Sequence, residues 1–409
     1  MYQVRHEASG QRLCFLKILS GTLQVKESLT IGDTEHKINE IRQYHGEKYT
    51  SVPKAFAGDL VAIPGLPGLK AGDGIHLPAS HTPHQLPMMA ADVFYNPKEI
   101  PPFKLLEALR QLEEEEPTLS LSAMGERITV SFMGKIQLDV LRQQLQERFA
   151  LFVTFGPARV IYRETIAAPV IGIGHYEPLR HYAECHLRLV PTPPGSGITF
   201  RSLCHVDDLA LNWQRLIETH VFEKPHKGVL TGAPLTDVRI ELLCGRAHLK
   251  HTEGGDFRQA VYRGIRQGLM QARSLLLEPI CGFRIRGPQA LYGTLSGALT
   301  RLKATVTTTD ITGDTLLLAG EAPWALFAPW QEDFLMLTHG QGSLQVWTAR
   351  YAPCTNQAEV VAAAGYTPLA DDTPDSVFCS HGAGYVVPWQ EVPAHAHLDS
   401  SAIQEEPHD

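Results

Sequence analysis

Residues 244–258 read CGRAHLKHTEGGDFR. The thiol of Cys244, the imidazoles of His248 and His251, the ammonium of Lys250 and the Gly254–Gly255 pair share one short stretch. Such a stretch can hold a metal, cradle a phosphate or touch a partner. Zinc takes about four Cys, His or carboxylate ligands in a tetrahedron. This group, and a second one near the C-terminus made of Cys379, His381, His395 and His397, offer no four ligands at a recognised spacing. No metal site is therefore expected. A phosphate cradle needs G-x-x-x-x-G-K-[ST], whose amides wrap the phosphates while the lysine and hydroxyl meet charge and magnesium; the sequence has none. It also lacks G-x-S-x-G, H-E-x-x-H and a G-x-G-x-x-G turn between strand and helix. The residues by themselves assign no catalytic group.

The elements around the stretch are legible from their periodicity. DVRIELLCG before it alternates as a strand, and FRQAVYRGIRQGLMQARSLL after it places Phe257, Val261, Ile265, Leu269 and Ala272 on one helical face. AECHLRLVP is a further strand and LNWQRLIETHVF a further helix, so the stretch joins a strand to a helix in an α+β unit. Upstream, LCFLKILSG, LTIGD, GDLVAIPG and LPGLKAGDGI are short apolar runs with glycine turns, as in a small β-barrel. A proline-marked linker, HLPASHTPHQLP, precedes two predicted helices. The first carries Phe103, Leu106, Leu109 and Leu112 on its apolar face, the second Ile136, Leu138, Val140, Leu141 and Leu145, with the strand ITVSF between. From LLLEPICGFRIRGP onward the order strand, helix, strand, strand, helix, strand is ferredoxin-like. An acidic, proline-containing remainder is expected to end in disorder.

At 409 residues, about two to four domains are expected. The 44% hydrophobic and 20% charged composition suits a globular chain, and no uncharged apolar run is long enough to span a bilayer. The N-terminus lacks a secretory pattern. The seven cysteines are scattered without a C-x-x-C pair, which argues against a disulfide framework. A cytoplasmic location, no membrane partner and a monomeric state are the expectations. The net charge of -8 hides an asymmetry. Between Trp213 and Lys303, 14 Lys or Arg face seven Asp or Glu, whereas residues 355–409 hold nine acids and no Lys or Arg. A basic segment is a candidate footprint for phosphate.

Several phrases, in collinear order, resemble the elongation factor G-type translational GTPases: MGKIQLDVL (133–141), VIYRETI (160–166), TDVRIELLCGRAHLKHTEGGDFRQAV (236–261) and LLEPICGFRIRGP (276–288). RLCFLKILSGTL (12–23), PPGSGITFRS (193–202) and VFCSHGAGYVVPWQEV (377–392) are similar to the tetracycline ribosomal protection branch of that superfamily. The resemblance implies a multidomain α+β fold: a β-barrel over 1–82, an α/β sandwich over 90–156, an elongated ribosomal-protein-S5-like domain over 157–275, a ferredoxin-like domain over 276–353, and a C-terminal extension with an acidic tail over 354–409. It further implies that the similarity begins at the family's second domain, so GTP and magnesium would act only through a GTP-binding domain encoded upstream or supplied separately. By the same resemblance, residues 247–254 form the outer tip of the elongated domain. His248, Leu249, Lys250, His251 and Thr252, together with Arg180, His181 and Tyr182 of a second loop, would then meet small-subunit ribosomal RNA near the decoding centre. Imidazole and phenol rings stack on unpaired bases, while Lys250 and Arg180 meet phosphates. Trp389 is expected to pack the C-terminal segment against the elongated domain.

Overall fold

The computed structural model describes residues 1–31, 34–75, 86–125, 127–371, 373 and 375–400. Most of the expected linker HLPASHTPHQLP and the expected disordered end at 401–409 lie outside these residues. The chain divides into two compact units, Met1–Val160 and Ile161–Asp409.

In the first unit, a five-stranded sheet runs in the order Gln3–His6, Arg12–Lys17, Leu60–Pro64, Arg42–His45 and Lys48–Ser51, accompanied by two smaller strand pairs. Arg12–Lys17 is apolar at consecutive positions because both of its faces are covered. Leu13 and Phe15 pack with Ala62, and Cys14 and Leu16 pack with Ile38, Ile41 and Ile63. A second sheet places Met89–Phe94 between Arg127–Phe132 and Thr154–Phe155, with Ser120–Met124 outermost. Two helices, Pro102–Glu115 and Lys135–Phe149, accompany it.

Both helices form where the apolar spacing places them, but their buried faces differ from the expected ones. The first buries Leu105, Ala108, Leu109 and Leu112 and leaves Phe103 71% exposed; the second buries Leu138, Leu141 and Leu145 and leaves Ile136 81% exposed. The cause is geometric. At about 100° per residue, positions nine apart stand on opposite sides of a helix, so Phe103 faces away from Leu112 and Ile136 away from Leu145.

The second unit holds two sheets. The first has the order Ile198–Ser202, Val238–Ala247, Ala183–Pro191, Val170–Tyr176, Ser376–Ser380 and Ala383–Val387. The helices Leu211–Phe222 and Gly254–Gln271 close its core, where Phe257, Val261, Ile265 and Leu269 meet Leu187, Leu189, Ile240 and Leu242. The strand Val170–Tyr176 lies directly on the backbone of the long helix. A Cβ on Gly172 would stand 2.0 Å from the Gly264 carbonyl oxygen, and one on Gly174 would stand 1.8 Å from that of Ala260. Only glycine fits this approach.

The other sheet centres on the long strand Ser274–Pro288, flanked by Ser343–Pro353 on one side and Thr315–Pro323, then Thr305–Thr312, on the other. With the helices Tyr292–Arg301 and Trp324–Leu337, this is a ferredoxin-like arrangement. The architecture is multidomain α+β.

Two segments complete sheets of neighbouring modules. Arg163–Ile166, expected to open the elongated domain, pairs antiparallel with Ser274–Leu277 and so joins the ferredoxin-like sheet. The C-terminal extension adds two strands to the other sheet, Ser376–Ser380 lying parallel to Val170–Tyr176. Among the described residues, no helix is long and apolar enough to cross a membrane.

Candidate functional site

The strand Val238–Ala247 ends at Ala247, and the helix Gly254–Gln271 starts at Gly254. The turn between them is tied by its own backbone. The His251 and Thr252 amides donate to the His248 carbonyl at 3.1 and 3.0 Å, and the His248 amide donates to Thr252 Oγ1 at 2.6 Å. The His248 and His251 rings stack with centroids 4.6 Å apart. Leu249 stands wholly in solvent at the apex, beside exposed Lys250. The helix start is secured by Asp256, whose Oδ2 accepts the Glu253 amide at 2.8 Å.

A second loop, residues 177–182, joins the strands Val170–Tyr176 and Ala183–Pro191 and is bonded to the first. Tyr182 donates its amide to the His251 carbonyl at 3.0 Å, and the Thr252 hydroxyl donates to the Tyr182 carbonyl at 2.6 Å. His181 Nδ1 lies 2.9 Å from Asp256 Oδ1. The structure therefore gathers all eight expected tip residues, 180–182 and 248–252, at one end of the sheet. Arg180 and Lys250 are exposed, and their side chains make no hydrogen bond or ion pair among the described residues. Arg180 sits at φ 66°, a left-handed turn position.

Tyr182 departs from its expected role as an exposed stacking ring. It is 8% exposed, edge-on to His175 at 5.5 Å, with its hydroxyl 3.3 Å from His397 Nδ1. Burial, reinforced by the Glu184 carboxylate, pushes its phenol pKa up. Tyr182 opens the run that continues as Ala183–Pro191, which is buried at consecutive positions because both faces of the strand are covered, and its side chain turns into the fold beside the C-terminal segment.

Trp389 lies away from the tip. Its carbonyl accepts a hydrogen bond from Gln267 Nε2 at 3.0 Å, on the same helix that begins at the tip but eleven residues beyond Asp256, roughly 16 Å at 1.5 Å per residue. The half-buried indole lines a small cavity with Arg263, Arg266 and Val392.

Beneath the two loops is a polar cluster that no motif in the sequence singles out. His175, Glu184 and His186 are buried on adjacent strands. Glu184 Oε2 is 2.7 Å from His175 Nδ1, and Oε1 is 2.9 Å from His186 Nε2. Burial alone would raise the Glu184 carboxyl pKa, but the two imidazoles and the Leu398 amide hold it well below the usual carboxylate range. The available signal is weak: a Glu and two His at non-consecutive positions on strands otherwise read as core.

The fold and the tip now stand beside known proteins. Residues 3–77 match the family model for elongation factor G domain 2, residues 158–273 the model for elongation factor G domain IV, and residues 275–360 the model for the elongation factor G C-terminus. Three stretches of the chain thus match elongation factor G domains, in chain order. Elongation factor G 2 of Streptomyces coelicolor is 27% identical over 365 residues, covering 83% of this chain and 53% of that protein. Elongation factor G 1 of Synechocystis is 27% identical over 370 residues, covering 85% of this chain and 52% of that protein. The chain spans about half the length of the curated relatives it matches. The crystal structure of a Thermus thermophilus protein superposes with a TM-score of 0.55 at 23% identity, covering 88% of this chain and 56% of the other. The turn at 248–252 and Tyr182 thus both fall within the domain IV match, and the strand Ser274–Pro288 opens the C-terminal one.

Proposed function

We propose that this chain is a ribosome-binding, translation-factor-like protein that inserts the 247–254 tip near the small-subunit decoding centre. The observation that carries this reading is the tip itself: two hydrogen-bonded loops present exposed Lys250, Arg180 and Leu249 with stacked imidazoles at the start of an 18-residue helix. The helix start itself is capped by Glu253 and Asp256, so the exposed cations favour phosphate, and the imidazoles offer flat faces to unpaired bases. Arg180 and Lys250 supply the cations, and Tyr182 underpins the second loop from below.

The 409 residues hold no phosphate-binding loop. Any GTP-dependent step in which the chain takes part is assigned to a nucleotide-binding domain, supplied upstream in the same polypeptide or by a separate one. Within this reading the chain sides with the tetracycline ribosomal protection branch, on the strength of RLCFLKILSGTL, PPGSGITFRS and VFCSHGAGYVVPWQEV. Ribosomal RNA at the decoding centre is the proposed partner and the cytoplasm the proposed location.

Co-sedimentation with ribosomes tests the proposal. The chain is expected to pellet with ribosomes at low salt and to be released as salt rises, because phosphate contacts release counterions. Replacing Arg180 and Lys250 together by Glu is expected to lower the bound fraction about tenfold or more while leaving the unfolding midpoint unchanged. No pelleting at low salt, or full binding by the double variant, overturns it.

A further inference from the structure

The buried cluster under the tip loops has the donor set of a metal site. We propose that His175 Nδ1, Glu184 Oε2 and His397 Nδ1 bind one zinc-class divalent ion, which fastens the C-terminal segment to the strand pair carrying the tip loop 177–182. This goes beyond ribosome binding and does not depend on it.

The three donor atoms lie within 4.8 Å of one another. His175 Nδ1 is 2.7 Å from Glu184 Oε2, and His397 Nδ1 is 3.9 Å from the same oxygen. Zinc bonded at about 2.0–2.2 Å to nitrogen and oxygen sets its ligand atoms a little over 3 Å apart, between those two distances. The His397 ring closes the longer one, since its side chain is 40% exposed and stands at the rim while His175 and Glu184 are fully buried. Tyr182 Oη lies 3.3 Å from His397 Nδ1.

Surrounding groups orient each donor. Glu177 Oε2 lies 3.1 Å from His175 Nε2, so that nitrogen donates its proton to Glu177 and Nδ1 is directed at Glu184. A carboxylate on the far nitrogen is the usual support for a metal-bound imidazole. Glu184 Oε1 accepts from His186 Nε2 and the Leu398 amide, both at 2.9 Å, and the His397 amide donates to both carboxylate oxygens at 3.1 Å, which fixes the carboxylate between the strand pair and the C-terminal segment. Phe378 lies flat on the His175 ring at 3.9 Å and fixes its plane. A cation at this point would replace the His175–Glu184 and Tyr182–His397 hydrogen bonds with direct ligation by all three donors. Two imidazoles and one carboxylate select zinc or a similar borderline ion over calcium or magnesium, which prefer all-oxygen shells.

The site is assembled from residues far apart in sequence. His175 and Glu184 come from the strand pair, and His397 comes from the segment after Val392, itself buried against Ile173 and Phe378.

The test uses the full chain, stripped with chelator and titrated with zinc sulfate, with metal counted by elemental analysis and stability followed by thermal unfolding. One zinc per chain and a raised unfolding midpoint are expected. His397→Ala, a change at the exposed rim, is expected to abolish both effects, Glu177→Gln to weaken affinity about 10–100-fold, and the double change His248→Ala with His251→Ala to leave both intact. Cobalt bound in place of zinc should give a visible absorption band that is lost in His397→Ala. The proposal is overturned if the wild-type chain takes up no zinc, if His397→Ala binds as tightly as wild type, or if uptake follows the His248/His251 pair instead.

Discussion

Glu164 shows how a single buried charge organises a loop. It is 1% exposed, yet its carboxylate accepts the amides of Leu230 and Thr231, each at 2.8 Å, the Thr231 hydroxyl at 2.9 Å and the Ala233 amide at 3.2 Å. A buried carboxylate is stable only when it is this fully hydrogen-bonded. Glu164→Ala leaves the Leu230 and Thr231 amides without their acceptor and the Ala233 amide with only the Thr231 hydroxyl at 3.4 Å, and unpaired buried groups cost about 1–3 kcal/mol each. Urea unfolding is expected to show a loss of at least about 3 kcal/mol, with Glu164→Gln intermediate because one oxygen can still accept. A loss under about 1 kcal/mol for Glu164→Ala would mean that water replaces the carboxylate. At this scale the sequence is only partly legible. The clustering of residues 248–252 with 180–182 follows from the resemblance, but the inward turn of Tyr182 does not, because nothing local distinguishes an exposed tyrosine from one covered by His397, far along the chain. The same distance hides the His175–Glu184–His397 cluster: neither the strand histidine nor the glutamate has a sequence neighbour that reveals its partner in the C-terminal segment.

At the scale of elements, periodicity locates the helices well and their faces less well. Both amphipathic helices of the first unit exist where expected; the misassigned end Phe103 comes from stepping by threes along a helix that turns every 3.6 residues, and Ile136 from grouping residues nine apart on one face. The glycines carry information of another kind. In VIGIGHY, Gly172 and Gly174 recur at strand period, and in the helix Gly264 and Gly268 recur four apart, so the small residues of each element face the other. That match lets the strand sit on the helix backbone and sets the position of the loop leading to Arg180. Gly174→Ala would place a methyl carbon 1.8 Å from the Ala260 carbonyl oxygen, and backbone cannot yield as a flexible side chain does. Overpacking of a tight core costs about 1–3 kcal/mol or more, so the unfolding midpoint should fall by several degrees, and ribosome binding should weaken as the loop shifts. Gly195→Ala, at a turn with open space around it but a φ of 86°, separates the two costs, since it carries backbone strain without a clash. If Gly174→Ala is no worse than Gly195→Ala, the close approach is not what stabilises the strand.

For the whole molecule, the order of modules is legible in the chain, but the sheet that each terminal segment joins is not. A strand's neighbour is fixed by long-range pairing, and the alternation of VFCSHGAGYVV is satisfied by any sheet with a free edge. The structure places that edge on Val170–Tyr176. Once docked, Ser376–Ser380 covers Ile173, the Ser376 hydroxyl accepts the His175 amide at 3.2 Å, the Asp375 carbonyl accepts Arg263 Nε at 3.0 Å, and Trp389 holds Gln267. These bonds run to the long helix and the tip-bearing strand, so the acidic C-terminal extension is a working part of the sheet that carries the tip loops. Deleting residues 373–409 would bare an apolar strand edge and strip the buried Arg263 and Gln267 of these partners, whereas a chain ending at Ser400 keeps every contact named. The shorter form is expected to unfold at a lower temperature and to aggregate from the exposed edge, and a chain ending at Ser400 to behave as the full one by thermal unfolding and light scattering. Equal midpoints for the two truncations would show that the extension rests on the tip-bearing sheet without stabilising it, and the basic tip would then have to hold its shape from the sheet and long helix alone.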